Sequence, residues 1–335
     1  MKIGILGAGT WGVALASLLV KNKQDVTLWS ALPAEIDELV ATGRHKNLKG
    51  AAVPEGLKYT KDIRCACLGA ELILLVVASG YVRSTVTAAA PYLCDGVYIV
   101  SAAKGFERDT LMTMTEVIDD ALGKARPELN YHTVALSGPT HAEEVALGLT
   151  TSVVCAATDT EVSKRVAEVF NNSCMRVYTN TDVLGVEICG ALKNVIALAS
   201  GILRGMGLGD NCKALVMTRG IAEITRMGLA MGCKRETFMG LAGLGDLIVT
   251  CTSHHSRNNR CGELIGRGMT YAEASAEIGM VVEGYHALTP AVMLSERYGV
   301  ELPITRAVYD IVMEGMSVEQ AMLGLMNRDL KSELD

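Results

Sequence analysis

The sequence predicts an α/β fold, a doubly wound and mostly parallel sheet over residues 1–178, followed by an all-helical domain over residues 179–335. Three observations carry this. Short apolar, β-branched runs alternate with helical stretches through the first half of the chain. A glycine turn closes the first of those runs. Strand signals then fade after about residue 180, where helical periodicity takes over. With 335 residues, half of them hydrophobic and a fifth charged, the chain has room for about two domains of ~150 residues and apolar mass for a core in each. Aromatic residues make up only 4% of it, and the Ala, Val, Leu, Ile and Met that replace them suit packed helices and buried parallel strands.

Residues 2–6, 25–29, 72–78, 97–101, 133–137, 151–156 and 175–179 read as strands. Most are apolar throughout, as strands are when helices cover both faces of a sheet. Between the first two, TWGVALASLLVKNK reads as a helix, so the chain opens with a β-α-β unit and a right-handed crossover. Later, the stretches 183–205, 211–231, 258–267, 284–298 and 304–325 have helical periodicity, punctuated by Gly232, Gly299 and Pro303.

Several function classes are disfavoured at once. The formal net charge is −6 and no run of Lys or Arg occurs, which argues against a nucleic-acid partner. A phosphorylated small molecule remains compatible, because local arginines can outweigh a mildly acidic whole. Ten cysteines lie mostly in apolar stretches, for example Cys155, Cys189 and Cys251, and no Cys-x-x-Cys occurs. In a chain this long they read as buried thiols of a reducing compartment. The opening MKIGILGAG does not resemble a secretory signal, and the longest strongly apolar run, Leu72 to Ala78, is far short of the ~20 residues that span a bilayer. The expectation is a soluble, cytoplasmic protein without stable membrane insertion. Cys251, His254, His255 and Cys261 lie close together, but their spacing is not a zinc pattern and Arg257 and Arg260 adjoin them, so no metal is expected.

Gly7-Ala8-Gly9-Thr10-Trp11-Gly12 is a G-x-G-x-x-G that directly follows a strand and opens a helix. In that context it predicts a Rossmann-type dinucleotide site. The glycines give a tight turn and let backbone approach a pyrophosphate, and the helix N-terminus offers unpaired N–H groups to it. The second strand ends at Leu28-Trp29-Ser30, followed by Ala31. No Asp or Glu stands there to bind a ribose 2′-hydroxyl, and no Arg follows at once, although Arg44 and Lys46 are not far along, so the motif leaves NAD and NADP both open, with NADPH not strongly rejected.

Further along, SAAKG at 101–105 and SGPTHA at 137–142 each follow a buried strand, which puts Lys104 and Gly138 at the carboxyl edge of the sheet. GALKN at 190–194 places Lys193 in an otherwise apolar helix, where a lysine either snorkels to the surface or is held inside for chemistry.

With these stretches, and with GLGDLIVTCTSHHSRNNR at 243–260 and VVEG at 281–284, the chain resembles, nearly end to end, the bacterial-type NAD(P)-dependent glycerol-3-phosphate dehydrogenases. The resemblance implies a Rossmann-type domain followed by a helical substrate-binding and catalytic domain, with the active site between them. It implies reversible reduction of dihydroxyacetone phosphate to sn-glycerol 3-phosphate with NADH or NADPH, feeding phospholipid synthesis. By matching positions it implies cofactor contacts at Gly7, Gly9, Thr10, Trp11, Gly12, Lys104, Ala142, Arg257, Val281 and Glu283. It implies substrate contacts at Lys104, Gly138, Thr140, Lys193, Asp246, Ser256, Arg257 and Asn258, with Lys193 as proton donor and acceptor. Two positions depart from it: Ala31, where many members carry a basic or polar residue, and His141, where many carry Phe. His141 reads best as a lining or hydrogen-bonded histidine. A homodimer is carried as an expectation on assembly, which the residues themselves leave open.

The chemistry fits those residue types. Hydride transfer to a ketone leaves negative charge on oxygen, which a positioned ammonium stabilises and protonates. Arg257 follows Ser256, a predicted N-cap, so its fork and the turn's N–H groups suit a phosphate. Two alternatives remain. A related reductase of the same architecture would take a 2-keto or 3-hydroxy acid, its carboxylate standing where the Ser256–Arg257–Asn258 run favours a phosphate. A dinucleotide sensor without turnover would not need both Lys104 and Lys193.

Overall fold

The structure is a computed structural model and describes residues 1–330, 332 and 333. Contacts divide the chain into two compact units, Met1–Gly190 with Glu236–Asp246, and Ala191–Arg235 with Leu247–Asp335.

The first unit is built on eight strands: β1 (Lys2–Leu6), β2 (Asp25–Trp29), β3 (Lys58–Thr60), β4 (Leu72–Leu75), β5 (Val97–Ser101), β6 (Tyr131–Ser137), β7 (Thr151–Ala156) and β8 (Met175–Asn180). They form one sheet in the order β3-β2-β1-β4-β5-β6-β7-β8. Every neighbouring pair is parallel except β6 and β7, which are antiparallel. The order reverses direction between β1 and β4, so the carboxyl edge there is the switch point at which doubly wound sheets bind ligands. The period-2 alternation of strands sorts their side chains onto two cores. Ile3, Ile5, Leu72, Leu74 and Val100 pack on one face, with the helix Thr10–Lys21. Leu6, Ile73, Leu75, Val97 and Ile99 pack on the other, with the helix Met114–Ala125.

The seven predicted strands are all present, three of them with shifted ends, and an eighth was not foreseen. β3 is three residues, KYT, at the sheet edge, where only one neighbour pairs with it and no apolar run is needed. β4 stops at Leu75 rather than Ala78. The glycine loop crosses its end there: a Cβ on Gly7 would meet the Val76 carbonyl oxygen at 2.6 Å.

The second unit is helical. Helices Asp210–Ala230, Arg257–Gly266 and Glu283–Tyr298 lie close to their predicted bounds. The predicted helix 304–325 is two helices, Pro303–Met313 and Val318–Met326. Gly315 takes φ +73° between them, and Ser317 caps the second by accepting from Gln320 N. The helix Tyr271–Ile278 was not foreseen, although Thr270 and Glu273 form a capping box at its start. Among the described residues one helix, Val183–Gly205, is long and apolar enough to cross a membrane, with mean hydropathy 1.6 over its most apolar window. That window is 94% buried inside the protein, as in a central core helix.

Candidate active site

The glycine loop runs from the end of β1 into the helix Thr10–Lys21. Gly7 adopts φ +124° and its N–H donates to Trp29 O at 2.9 Å, tying the loop to β2. A Cβ on Gly12 would lie 1.9 Å from the Gly7 carbonyl oxygen, so the helix can approach the strand only without a side chain there. Gly9 is different. It is the N-cap of the helix, no side chain caps it, and a Cβ there would meet nothing within 4 Å. Packing leaves the space over Gly9 open, which suits a pyrophosphate against the first-turn N–H groups. Beside it the Thr10 hydroxyl is buried and makes no hydrogen bond to the protein. An orphaned hydroxyl at an uncapped helix start fits a phosphate-bearing dinucleotide. Trp11 is half-buried next to it. The short helix Ala142–Ala146 packs against Thr10–Lys21, and His141 is its N-cap.

Lys104 follows β5, and its ammonium donates to Asp246 Oδ2 at 2.6 Å and to the Gly138 carbonyl at 3.3 Å. Its side chain is 18% exposed, while that of Asp246 is fully buried. A buried carboxylate needs such a partner, so the pair is fixed rather than a solvated contact. Two backbone devices bring it together. Gly138, at φ +145°, packs its α-carbon against β7, where a Cβ would meet Val153 Cα at 3.0 Å. Asp246 follows a single turn of wider helix, Leu241–Gly245, in which Gly245 N donates to Gly240 O at 3.1 Å. Such turns re-aim the residue that follows, and are frequent at functional sites. Thr140 donates to the same Gly138 carbonyl at 3.2 Å. Gly190 of the long helix leaves room for the Lys104 stem, since a Cβ there would lie 3.3 Å from Lys104 Cγ.

One turn earlier on that helix, Glu187 accepts from Thr115 N at 2.9 Å and from the Thr115 hydroxyl. Burial pushes its carboxyl up to about 7 against those bonds. Glu187, Lys104, Ser101 and Ser137 line one small cavity of about 10 Å³, the size of a single water. Both serine hydroxyls are buried and make no hydrogen bond to the protein. Sequence reading did not single out Glu187.

In the second unit Lys193 is 6% exposed, and its ammonium donates to Thr250 Oγ1 at 2.6 Å. Thr250 stands four residues after Asp246 on the helix Asp246–Thr252, a spacing that puts both side chains on one helix face. That spacing is visible in DLIVT, and is the signal by which Thr250 could have been found. Asn194 accepts from Asn258 Nδ2 at 2.9 Å, and Asn258 Oδ1 accepts from Gly284 N at 2.9 Å. Asn258 thereby ties together the helices 183–205, 257–266 and 283–298. Ser256 caps the helix Arg257–Gly266, its hydroxyl accepting from Asn259 N at 3.2 Å, as the sequence predicts. Arg257, the first residue of that helix, is exposed, as is Arg260. Val281 is exposed, and Glu283 is half-buried in the first turn of Glu283–Tyr298. Of the four residues weighed as metal ligands, Cys251 and Cys261 are buried and His254 and His255 are exposed.

Thus Lys104, Gly138, Thr140 and Asp246 form one hydrogen-bonded cluster, with the glycine loop on the same sheet edge. Lys193 and Thr250 form a second cluster, and Ser256, Arg257 and Asn258 share one helix start.

Residues 2–163 match the N-terminal profile of NAD-dependent glycerol-3-phosphate dehydrogenase, and residues 182–323 match its C-terminal profile. The chain is 55% identical over 333 residues to a glycerol-3-phosphate dehydrogenase (NAD(P)+) of Lactobacillus delbrueckii subsp. bulgaricus, covering 99% of both chains. It is 44% identical over 335 residues to one of Fusobacterium nucleatum, covering 100% of this chain and 99% of the relative. The crystal structure of the glycerol-3-phosphate dehydrogenase of Coxiella burnetii superposes with a TM-score of 0.92 at 37% identity, over 97% of this chain and 98% of that one. A ketopantoate reductase of Ralstonia eutropha superposes with a TM-score of 0.63 at 18% identity, over 98% of this chain and 100% of that one, a likeness of fold alone. By its profile matches at both ends and its identity to relatives along its whole length, the chain belongs to the NAD-dependent glycerol-3-phosphate dehydrogenase family.

Proposed function

We propose that this chain reduces dihydroxyacetone phosphate to sn-glycerol 3-phosphate, reversibly, with NADH or NADPH, and so supplies glycerol 3-phosphate for phospholipid synthesis. The carrying observation is the buried Lys193 ammonium, held by Thr250 in an apolar helix. A bound NAD(P)H supplies the hydride that ends on C2 of the ketone. Lys193 Nζ gives its proton to the carbonyl oxygen as the C–H bond forms, and takes it back from the alcohol in the reverse direction. Residues 1–178 chiefly serve the dinucleotide and residues 179–335 chiefly serve substrate and proton chemistry.

Within this reading the first-turn N–H groups after Gly9, with Gly7, Gly12, Thr10 and Trp11, take the pyrophosphate. Ala142, Val281 and Glu283 complete the cofactor contacts. Lys104 touches both cofactor and substrate, and Asp246 holds it in place. Gly138, Thr140, Ser256 and Asn258 line the substrate, and Arg257 takes its phosphate, because its planar fork forms two parallel charge-assisted bonds. The same reading makes the protein cytoplasmic, a setting in which its ten thiols stay reduced, and homodimeric.

The test is the turnover of purified protein with NADH and NADPH. Dihydroxyacetone phosphate should be reduced with a kcat/KM far above that of unphosphorylated dihydroxyacetone. Equal values for the two ketones would remove the phosphate from the reading.

A further inference from the structure

In a doubly wound dinucleotide site the adenosine ribose lies at the carboxyl end of the second strand, where a carboxylate selects a free 2′-hydroxyl. In chain order that end, Trp29-Ser30-Ala31, has none. In space one is there. The helix Pro33–Thr42 starts three residues after Ser30 and carries Glu35 in its first turn. The Ser30 hydroxyl donates to Glu35 Oε2 at 2.6 Å and accepts from Leu32 N at 3.1 Å.

Ser30 is 4% exposed, and its one hydroxyl proton is committed to Glu35. The turn therefore fixes the hydroxyl, and the hydroxyl fixes the carboxylate. Glu35 is only half-buried, so its carboxylate stays accessible at the strand end. Positions 31 and 32, where a cation would greet a 2′-phosphate, hold Ala31 and Leu32, both exposed. Lys61, which follows the neighbouring strand β3, is paired with Asp37 at 2.6 Å.

We infer that Glu35, moored by Ser30, reads the 2′ position of the adenosine ribose and makes this chain selective for NAD(H) over NADP(H). A 2′-hydroxyl donates to the carboxylate. A 2′-phosphate, with nearly two negative charges, is repelled by it. This revises the sequence expectation of weak discrimination, and it rests on the dinucleotide reading given above.

The test is direct binding of NADH and NADPH to the purified protein by titration calorimetry, with no ketone present. The wild type should hold NADH tighter by about 30-fold or more, the scale of a like-charge clash. Glu35→Gln should bring the two dissociation constants within about fivefold, mainly by strengthening NADPH, and Ser30→Ala should fall between. Circular dichroism checks that each variant folds. Should Glu35→Gln not fold, Glu35→Asp, one methylene too short to reach Ser30, must also narrow the ratio. Equal affinities in the wild type, or an unchanged ratio in a folded Glu35 variant, overturn the inference while leaving the dinucleotide site standing. Failure of the wild type to bind either nucleotide overturns both.

Discussion

Burying an ammonium costs several kcal/mol unless hydrogen bonds compensate, and Lys193 meets that cost with Thr250 Oγ1 at 2.6 Å. The position was legible in part. A lysine among Ala, Leu, Val and Ile either snorkels or is held inside, and an exposure of 6% decides for the inside. Its partner was legible only as a residue four positions after Asp246, not as a partner, because Thr250 is 57 residues away and threonine in an apolar helix usually only packs. Likewise Asp246 could be named but its bond to Lys104 could not, since the turn Leu241–Gly245 that aims it has no signature beyond its glycines. Lys193→Met keeps the stem and removes the proton. It should lower kcat by ~10²–10⁴-fold, with calorimetric NADH affinity within about threefold of wild type. Thr250→Val should cost about tenfold in kcat with KM little changed, as for a positioning residue, and Thr250→Ser should restore it. A Lys193→Met enzyme within tenfold of wild type would leave the buried ammonium with a structural role only.

The elements that carry these side chains approach one another through glycine. The helix Val183–Gly205 meets the helix Arg257–Gly266 at two four-residue glycine pairs, Gly201 with Gly205 and Gly262 with Gly266. A Cβ on Gly201 would lie 2.0 Å from the Asn259 carbonyl oxygen, and one on Gly262 would lie 2.2 Å from that of Leu198. Neither backbone can yield far, because each belongs to a helix. The same two helices bear Lys193, Asn194 and Asn258, so this close crossing sets the reach of the Asn194–Asn258 bond. In sequence both pairs were visible only as weak spots in helices, since a glycine's purpose lies in the partner it admits. Gly262→Ala should destabilise the helical unit by roughly 1–3 kcal/mol or more, a loss of several degrees in Tm. Gly123→Ala is the contrast: Gly123 lies exposed inside the helix Met114–Ala125 and a Cβ there meets nothing within 4 Å. There alanine should stabilise by about 0.5–1 kcal/mol, since only backbone entropy changes. Thermal melts of the two variants should move in opposite directions; a Gly262→Ala melt at or above wild type would mean that the crossing is slack.

At the scale of the molecule, the sheet was legible because its strands are buried on both faces and so apolar throughout, as LILL of β4 shows. The polar edge strand β3 was not, and neither was the passage from one compact unit to the next at Gly190, which falls inside a continuous apolar helix. Each unit also encloses one glutamate that composition does not reveal. Glu187 serves the first, at Thr115. Glu223 serves the second, where it accepts from Ile304 N, Thr305 N and the Thr305 hydroxyl, and so caps the helix Pro303–Met313, which has no cap of its own. Burial pushes both carboxyls up from the ordinary 4.5 to about 7. Both folded-state values are raised, so between those limits the folded chain keeps protons that the unfolded chain releases. Stability therefore falls as pH rises from about 4.5 to about 7, by up to roughly 3 kcal/mol for each group. Below that window the sign reverses, because Glu107, whose carboxyl the Arg83 guanidinium holds low, loses its stabilisation as pH falls. The melting temperature should thus peak near pH 4.5, decline toward pH 7 and level off above it. Glu223→Gln cannot ionise, yet its carbonyl oxygen can still accept from the helix N–H groups. Calorimetry from pH 5 to pH 8 should show a flatter decline for Glu223→Gln than for wild type, and one flatter still when Glu187→Gln is added. Parallel curves for all three proteins would place the ionisation of both glutamates outside this range and assign the decline, if any, to other groups.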